Sequence, residues 1–155
     1  MTVAVFLLSS RSFATSLPLG LAVEAAQTAL QTCQKDGFSV TVTVVNADGL
    51  TQVLLRGDQT GPHTLDSSKY KAYTVASIAP IVNMDTTSEI AKRILSTPGS
   101  SQLANLPNIL LVGGGVAIRS GGKVIGALGV GGAPGADLDE ICAKAGVDKI
   151  RDRLP

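Results

Sequence analysis

His63 is the chain's one histidine, set in the run Gly61-Pro62-His63-Thr64 with Asp58 and Asp66 nearby. Imidazole is the commonest metal-binding side chain, so His63 is the first candidate for a metal ligand; a solvated loop histidine is the plainer account. Tyr70 and Tyr73 follow, crowded by Lys69 and Lys71. Tyr73 could donate a hydrogen bond or ligate a metal, or simply pack beside a sheet. Arg56 and Arg119 end two strand-like runs, where a guanidinium can hold a carboxylate bidentately or stay solvated. Lys71 or Asp66 could act as acid or base in a small-molecule enzyme, but neither a second histidine nor a metal cluster stands beside them.

Several familiar chemistries are absent. A serine-hydrolase triad needs an oriented histidine beside a nucleophile, and the sequence has no Gly-x-Ser-x-Gly elbow. One histidine and two distant cysteines lack the paired spacings of a zinc site. The glycine-rich run from Gly126 to Gly135 fails as a dinucleotide fingerprint, because the sixth place counted from Gly129 is Pro134. Asp137, Asp139 and Glu140 just beyond it would repel a phosphate from a helix N-terminus. Those glycines read better as turns and close backbone packing, with room for one wall of a pocket.

The elements that must position these residues follow from periodicity. Ala22, Ala26, Ala29, Leu30 and Cys33 recur at three- and four-residue steps, predicting a helix over residues 21–36 that Gly37 ends. Residues 39–45 and 50–56, joined by Asn46-Ala47-Asp48-Gly49, predict a β-hairpin. A second helix is expected from Thr64, buried along Leu65, Ser68, Ala72, Ala76 and Ala79 and closed by Pro80. Thr86 or Thr87 caps a shorter helix through Leu95, and residues 96–107 read as loop. Residues 108–112, 116–119 and 123–130 bring the expected strands to five. A capping-box pattern at Asp137 to Glu140 opens a last helix, with Leu138, Ile141, Cys142 and Ala145 inward and Gly146 as its end.

This order gives an α+β fold with an antiparallel five-stranded sheet covered by helices. If the first and last helices pack side by side, Cys33 and Cys142 could form a disulfide; otherwise they are two small apolar core residues. A disulfide would need an oxidising compartment.

The chain has 155 residues, 45% of them hydrophobic and 16% charged, which fits one folded domain rather than a disordered one. Thirteen basic and twelve acidic side chains leave a formal charge of +1, too little to mark a nucleic-acid or membrane partner. No run approaches a spanning helix. The apolar run Val3 to Leu8, followed by Ser12 and Ala14, imitates an export-signal remnant, although it is short and its nearest positive charge, Arg11, follows it. Residues 1–16 are thus expected to be a leader or extension, and 17–155 a single domain.

The segments Gly61 to Thr74, with its Lys71-Ala72-Tyr73-Thr74, Gly113-Gly114-Gly115-Val116-Ala117-Ile118, and Val124 to Gly135 together resemble the haem-binding HbpS-like family, also called the GlcG family. The likeness spans about residues 17 to 146. It implies a profilin-like layered sheet and a homo-oligomer, octamers being known in the family. It also implies a small-molecule or cofactor-binding role, haem first, in haem or redox sensing, and alternatively a role with hydroxy acids such as glycolate. The family motif falls on Lys71, Ala72, Thr74, Gly113, Gly114, Gly126 and Gly129. A haem pocket would then lie between the start of the second helix and the glycine-rich strands, with His63 as the first axial candidate and Tyr73 the second. Arg119 or Lys123 would pair with propionates. The variant reading Gly61-Pro62-His63-Thr64, the two cysteines and the Gly132-Ala133-Pro134-Gly135 ending resemble exported members more than cytoplasmic ones, which favours a periplasmic or secreted location, with a cytoplasmic one as the alternative.

Overall fold

The computed structural model describes residues 16–155, so the expected leader falls almost wholly outside the described residues. Its elements run α1 (Leu19–Lys35), β1 (Thr41–Asn46), β2 (Thr51–Arg56), α2 (Thr64–Val82), α3 (Thr87–Leu95), a 3-10 helix (Ser100–Asn105), β3 (Gly115–Ser120), β4 (Lys123–Gly131) and α4 (Ala136–Ile150). The four strands form one antiparallel sheet in the order β2-β1-β4-β3.

The sheet separates two apolar layers. On one face α1 and α4 cover Val42, Val44, Leu128 and Val130. On the other, α2 and α3 cover Val45, Ala117 and Ala127. Successive strand side chains point to opposite faces, so Thr41 and Thr43 turn toward α2. There Thr41 Oγ1 lies 2.7 Å from Thr64 Oγ1, and Thr43 Oγ1 lies 2.8 Å from Ser68 Oγ. These buried hydroxyl pairs fix where α2 lies along the sheet.

The β4 glycines let α2 come close. A Cβ built on Gly129 would sit 2.1 Å from Ser68 O and 2.7 Å from Ala72 N. The glycine-rich strand is therefore a helix-docking surface. α1 stops where Gly37, at φ +82°, turns the chain, with Phe38 N donating to Cys33 O and Gly37 N to Gln34 O.

Several expectations need correction. Among the described residues the sheet has four strands, because residues 108–112 do not join it. The free edge of β3 is already used, by Ala117 N donating to Asp85 O and by the Thr86–Val116 bridge. Leu110 N instead donates to Thr74 Oγ1 on α2, after Asn108 takes the left-handed conformation at φ 65°. Within residues 96–107, expected as loop, lies the 3-10 helix Ser100–Asn105.

Pro80 does not close α2. It lies in the last turn, where it removes one i→i−4 hydrogen bond without stopping the helix, which ends at left-handed Asn83. Leu65 on the same helix is exposed rather than buried.

Gly146 does not end α4. It lies inside the helix at the α1 crossing, where a Cβ would meet Ala25 O at 2.5 Å. The start of α4 differs too. Its cap is Gly135 without a side-chain hydrogen bond, Ile141 is exposed, and Asp139 and Glu140 turn inward. At the same α1–α4 contact the sulfurs of Cys33 and Cys142 are bonded, with 5.6 Å between their Cα atoms.

Candidate functional site

The residues with chemical potential separate into two places. The first is a buried polar knot beneath the triple glycine. Lys71, on α2, donates through Nζ to Asp139 Oδ2 at 2.7 Å and to Val130 O at 3.0 Å, and both charged side chains are only 4% exposed. Asp139 Oδ1 accepts from Ala133 N. Beside them Glu140 Oε2 accepts from Ser88 Oγ at 2.6 Å and more distantly from Ser88 N and Gly114 N, while Oε1 accepts from Lys144.

Burial by itself would raise the Glu140 carboxyl, but the Ser88 and Lys144 hydrogen bonds, the Lys144 charge and the Gly114 N–H outweigh it, and its pKa lies below the usual 4.5. Gly113 and Gly114 are closed in by this knot. A Cβ on Gly113 would lie 2.5 Å from Ser88 Oγ, and one on Gly114 would lie 2.9 Å from Lys71 Nζ. Lys71, Asp139, Glu140 and Ser88 are committed to one another or to nearby backbone, so the knot joins α2, α3, α4 and the β3 approach with little capacity left for a ligand.

The second place is a cavity of about 700 Å3 between the C-terminal half of α2, α3 and residues 100–109. Ligand pockets typically measure about 300 to 1,000 Å3. Ile78, Ile94, Leu103, Leu106 and Ile109 give it apolar walls, and Tyr73 and Arg93 are among the polar residues that line it. The diversion of residues 108–112 away from the sheet, held by the Leu110–Thr74 bond, supplies one wall. The Thr86 capping box, with Glu89 N donating to Thr86 Oγ1 and Thr86 N to Glu89 Oε2, sets the start of α3 and hence the position of Arg93 about two turns on.

Tyr73 lies in this cavity wall, whereas Lys71, two residues earlier on α2, faces the polar knot. His63 is exposed at the N-cap of α2, ten residues before Tyr73 and so about 15 Å away along the helix axis. Its ring is folded against Gly61, and it does not line the cavity. Arg119 belongs to a different surface, where Nε donates to Asp85 Oδ1 at 2.5 Å, while another guanidinium nitrogen donates to Gly122 O. Lys123 is exposed at the start of β4 in the same hairpin.

Sequence reasoning missed Arg93 and the walls from 103 to 109. The available signal was the apolar density of Leu103, Leu106, Pro107 and Ile109 in a stretch without periodicity. It also missed Asp139 and Glu140 as buried anchors, because acidic residues in a first helical turn are ordinarily explained by the helix dipole. Among the described residues, no group of three or more His, Cys, Asp or Glu side chains could hold a bare metal ion. None of their helices is long and apolar enough to cross a membrane.

The family model described as haem degrading protein HbpS-like matches residues 17–148. A double mutant of HbpS from Streptomyces reticuli is 36% identical, covering 97% of this chain and 97% of that chain with a TM-score of 0.80. An uncharacterised 15.0 kDa protein from the dhaT-dhaS intergenic region of Citrobacter freundii is 32% identical over 137 residues, 86% of this chain and 91% of its own length. The PduOC:heme complex is 20% identical over 86% of this chain and 94% of that one, with a TM-score of 0.75, and shares the fold.

Proposed function

The chain belongs to the HbpS-like family, and from that membership we propose that it binds haem in the cavity beside α2. The observation that carries this reading is the cavity itself: about 700 Å3, with apolar walls, one phenol and one guanidinium. Those groups match a porphyrin part by part. Aliphatic walls suit the macrocycle, a guanidinium suits a propionate, and tyrosine is among the side chains that hold haem iron. Haem, when bound, supplies redox and oxygen chemistry. The chain's own residues bind it through Ile78, Ile94 and Ile109, orient its carboxylates toward Arg93, and keep water from the enclosed face. Binding is the step that any haem-degrading activity requires.

The haem complex of a structural neighbour supports the reading at the level of fold. His63, Arg119 and Lys123 would serve a haem only on another surface, and Lys71, Gly113 and Gly114 only through the fold that they hold together. Self-association into a homo-oligomer, octameric in form, belongs to the same proposal. So does a periplasmic or secreted location, for which the Cys33–Cys142 bond is the support, since disulfides persist in oxidising compartments.

Titration with hemin tests the function. The wild type should give a saturable Soret shift, and Ile109→Trp, which fills the cavity, should weaken it while circular dichroism stays native. Absence of any shift in the wild type rejects haem binding, and an unimpaired Ile109→Trp variant rejects this cavity.

A further inference from the structure

We infer that Tyr73 is the iron-facing residue of the cavity, that Gly49 positions its ring, and that the site consequently prefers ferric to ferrous porphyrin. This rests on the haem reading above and goes further by assigning the ligand and the oxidation state. The side chains that ordinarily hold haem iron are His, Cys, Met and Tyr. Among the described residues, the cavity lining contains one residue of these types, Tyr73. The histidine is at the N-cap of α2, away from the cavity, and both cysteines are joined to each other in the opposite layer. Met84 packs into the α2 layer without reaching the cavity.

The Tyr73 ring packs against the β1–β2 turn. A Cβ on Gly49 would lie 2.7 Å from Tyr73 Cδ2 and 2.8 Å from Cε2, so only glycine leaves room for the ring there. Gly49 also has φ +76°, and the turn is tied by Asn46 Oδ1 accepting from Asp48 N and Leu50 N. A ligand whose ring is already fixed loses little freedom on binding. Arg93 lines the same cavity and takes part in none of the ion pairs among the described residues, leaving its guanidinium for a carboxylate.

On binding, the Tyr73 O–H bond breaks, its proton goes to water, and the oxygen pair forms the bond to iron with no change in oxidation state. An anionic oxygen is a hard donor, which favours the more highly charged ferric ion. By linkage, each tenfold preference for ferric iron lowers the one-electron midpoint potential by about 59 mV.

The test uses the full chain and hemin, read by absorption, electron paramagnetic resonance and potentiometry. The wild type should show a high-spin ferric spectrum. Tyr73→Phe should lose that spectrum and bind at least about tenfold more weakly, Tyr73→His should change the spectrum and raise the potential, and His63→Ala should match the wild type. Gly49→Ala should disturb the spectrum by displacing the ring. Reduction with dithionite should speed transfer of haem from the wild type to apomyoglobin. A wild type that binds no hemin sinks the haem reading itself and this inference with it. A wild type that binds, with Tyr73→Phe indistinguishable from it and still natively folded by circular dichroism, overturns the ligand assignment and leaves the haem reading standing. Unchanged retention after reduction overturns the ferric preference.

Discussion

Lys71 shows how an unremarkable surface residue type becomes structural once its surroundings are fixed. Its ammonium sits against Asp139 and Val130 O with both side chains 4% exposed, so neither charge has water to fall back on. Removing one member of such a pair leaves the other uncompensated, at a cost of about 3 to 5 kcal/mol, whereas replacing both with apolar groups of similar size can be nearly neutral. Lys71→Met should therefore lower the urea midpoint sharply, and Lys71→Met with Asp139→Leu should recover most of the loss. Equal losses in single and double variants would show that the pair is not the cause. Glu140 belongs to the same knot but responds to pH. Its folded pKa is depressed below 4.5, so its contribution is present above that value and is lost as pH falls through the lower folded value. Glu140→Gln should make the acid-side fall in stability shallower, measured by urea unfolding from about pH 7 down to about pH 3. An unchanged slope would mean that other carboxylates set the acid limit.

At the scale of elements, the decisive contact is α2 on β4. Gly129 permits it, since a methyl there would press on the helix backbone at Ser68 O and Ala72 N rather than on a movable side chain. Gly129→Ala should cost about 3 kcal/mol, the upper part of the range for overpacking, and should also weaken hemin binding because Tyr73 moves with α2. Gly121→Ala is the contrasting case: a Cβ there meets nothing within 4 Å, so only its φ of +54° is strained. If the two variants unfold at the same urea concentration, close docking is not what Gly129 provides. Such contacts also explain what could be read in advance. The β1–β2 hairpin was legible because β-branched alternation and Asn46 to Gly49 agree locally. Residues 108–112 looked equally strand-like and failed because a distant segment, Asp85-Thr86, had taken the β3 edge. Gly146 looked like a stop signal, but its role is set by Ala25, far away in the chain. The cavity was least legible, since its walls come from separate segments that no periodicity connects, and only Tyr73 among them carried a chemical signal.

The whole molecule is two unequal layers sharing one sheet. The α1–α4 layer is cross-linked by Cys33–Cys142 across a separation of 109 residues, while the α2–α3 layer carries the cavity and has no covalent tie among the described residues. Closing so long a loop restricts the unfolded chain, by about 4.7 kcal/mol in the chain-entropy model, and should do so without altering the native cavity. Cys33→Ala with Cys142→Ala should therefore unfold at a much lower urea concentration yet retain nearly the wild-type hemin affinity below its transition. Because the two cysteines are 0% and 1% exposed, thiol reagents should reach them only through opening of the α1–α4 contact. Dithiothreitol in native buffer should leave the bond intact, and dithiothreitol in urea should break it, as counted by thiol labelling and mass. Loss of hemin binding in the folded double variant would show instead that the two layers are coupled through the sheet, and that the disulfide supports the cavity as well as the chain.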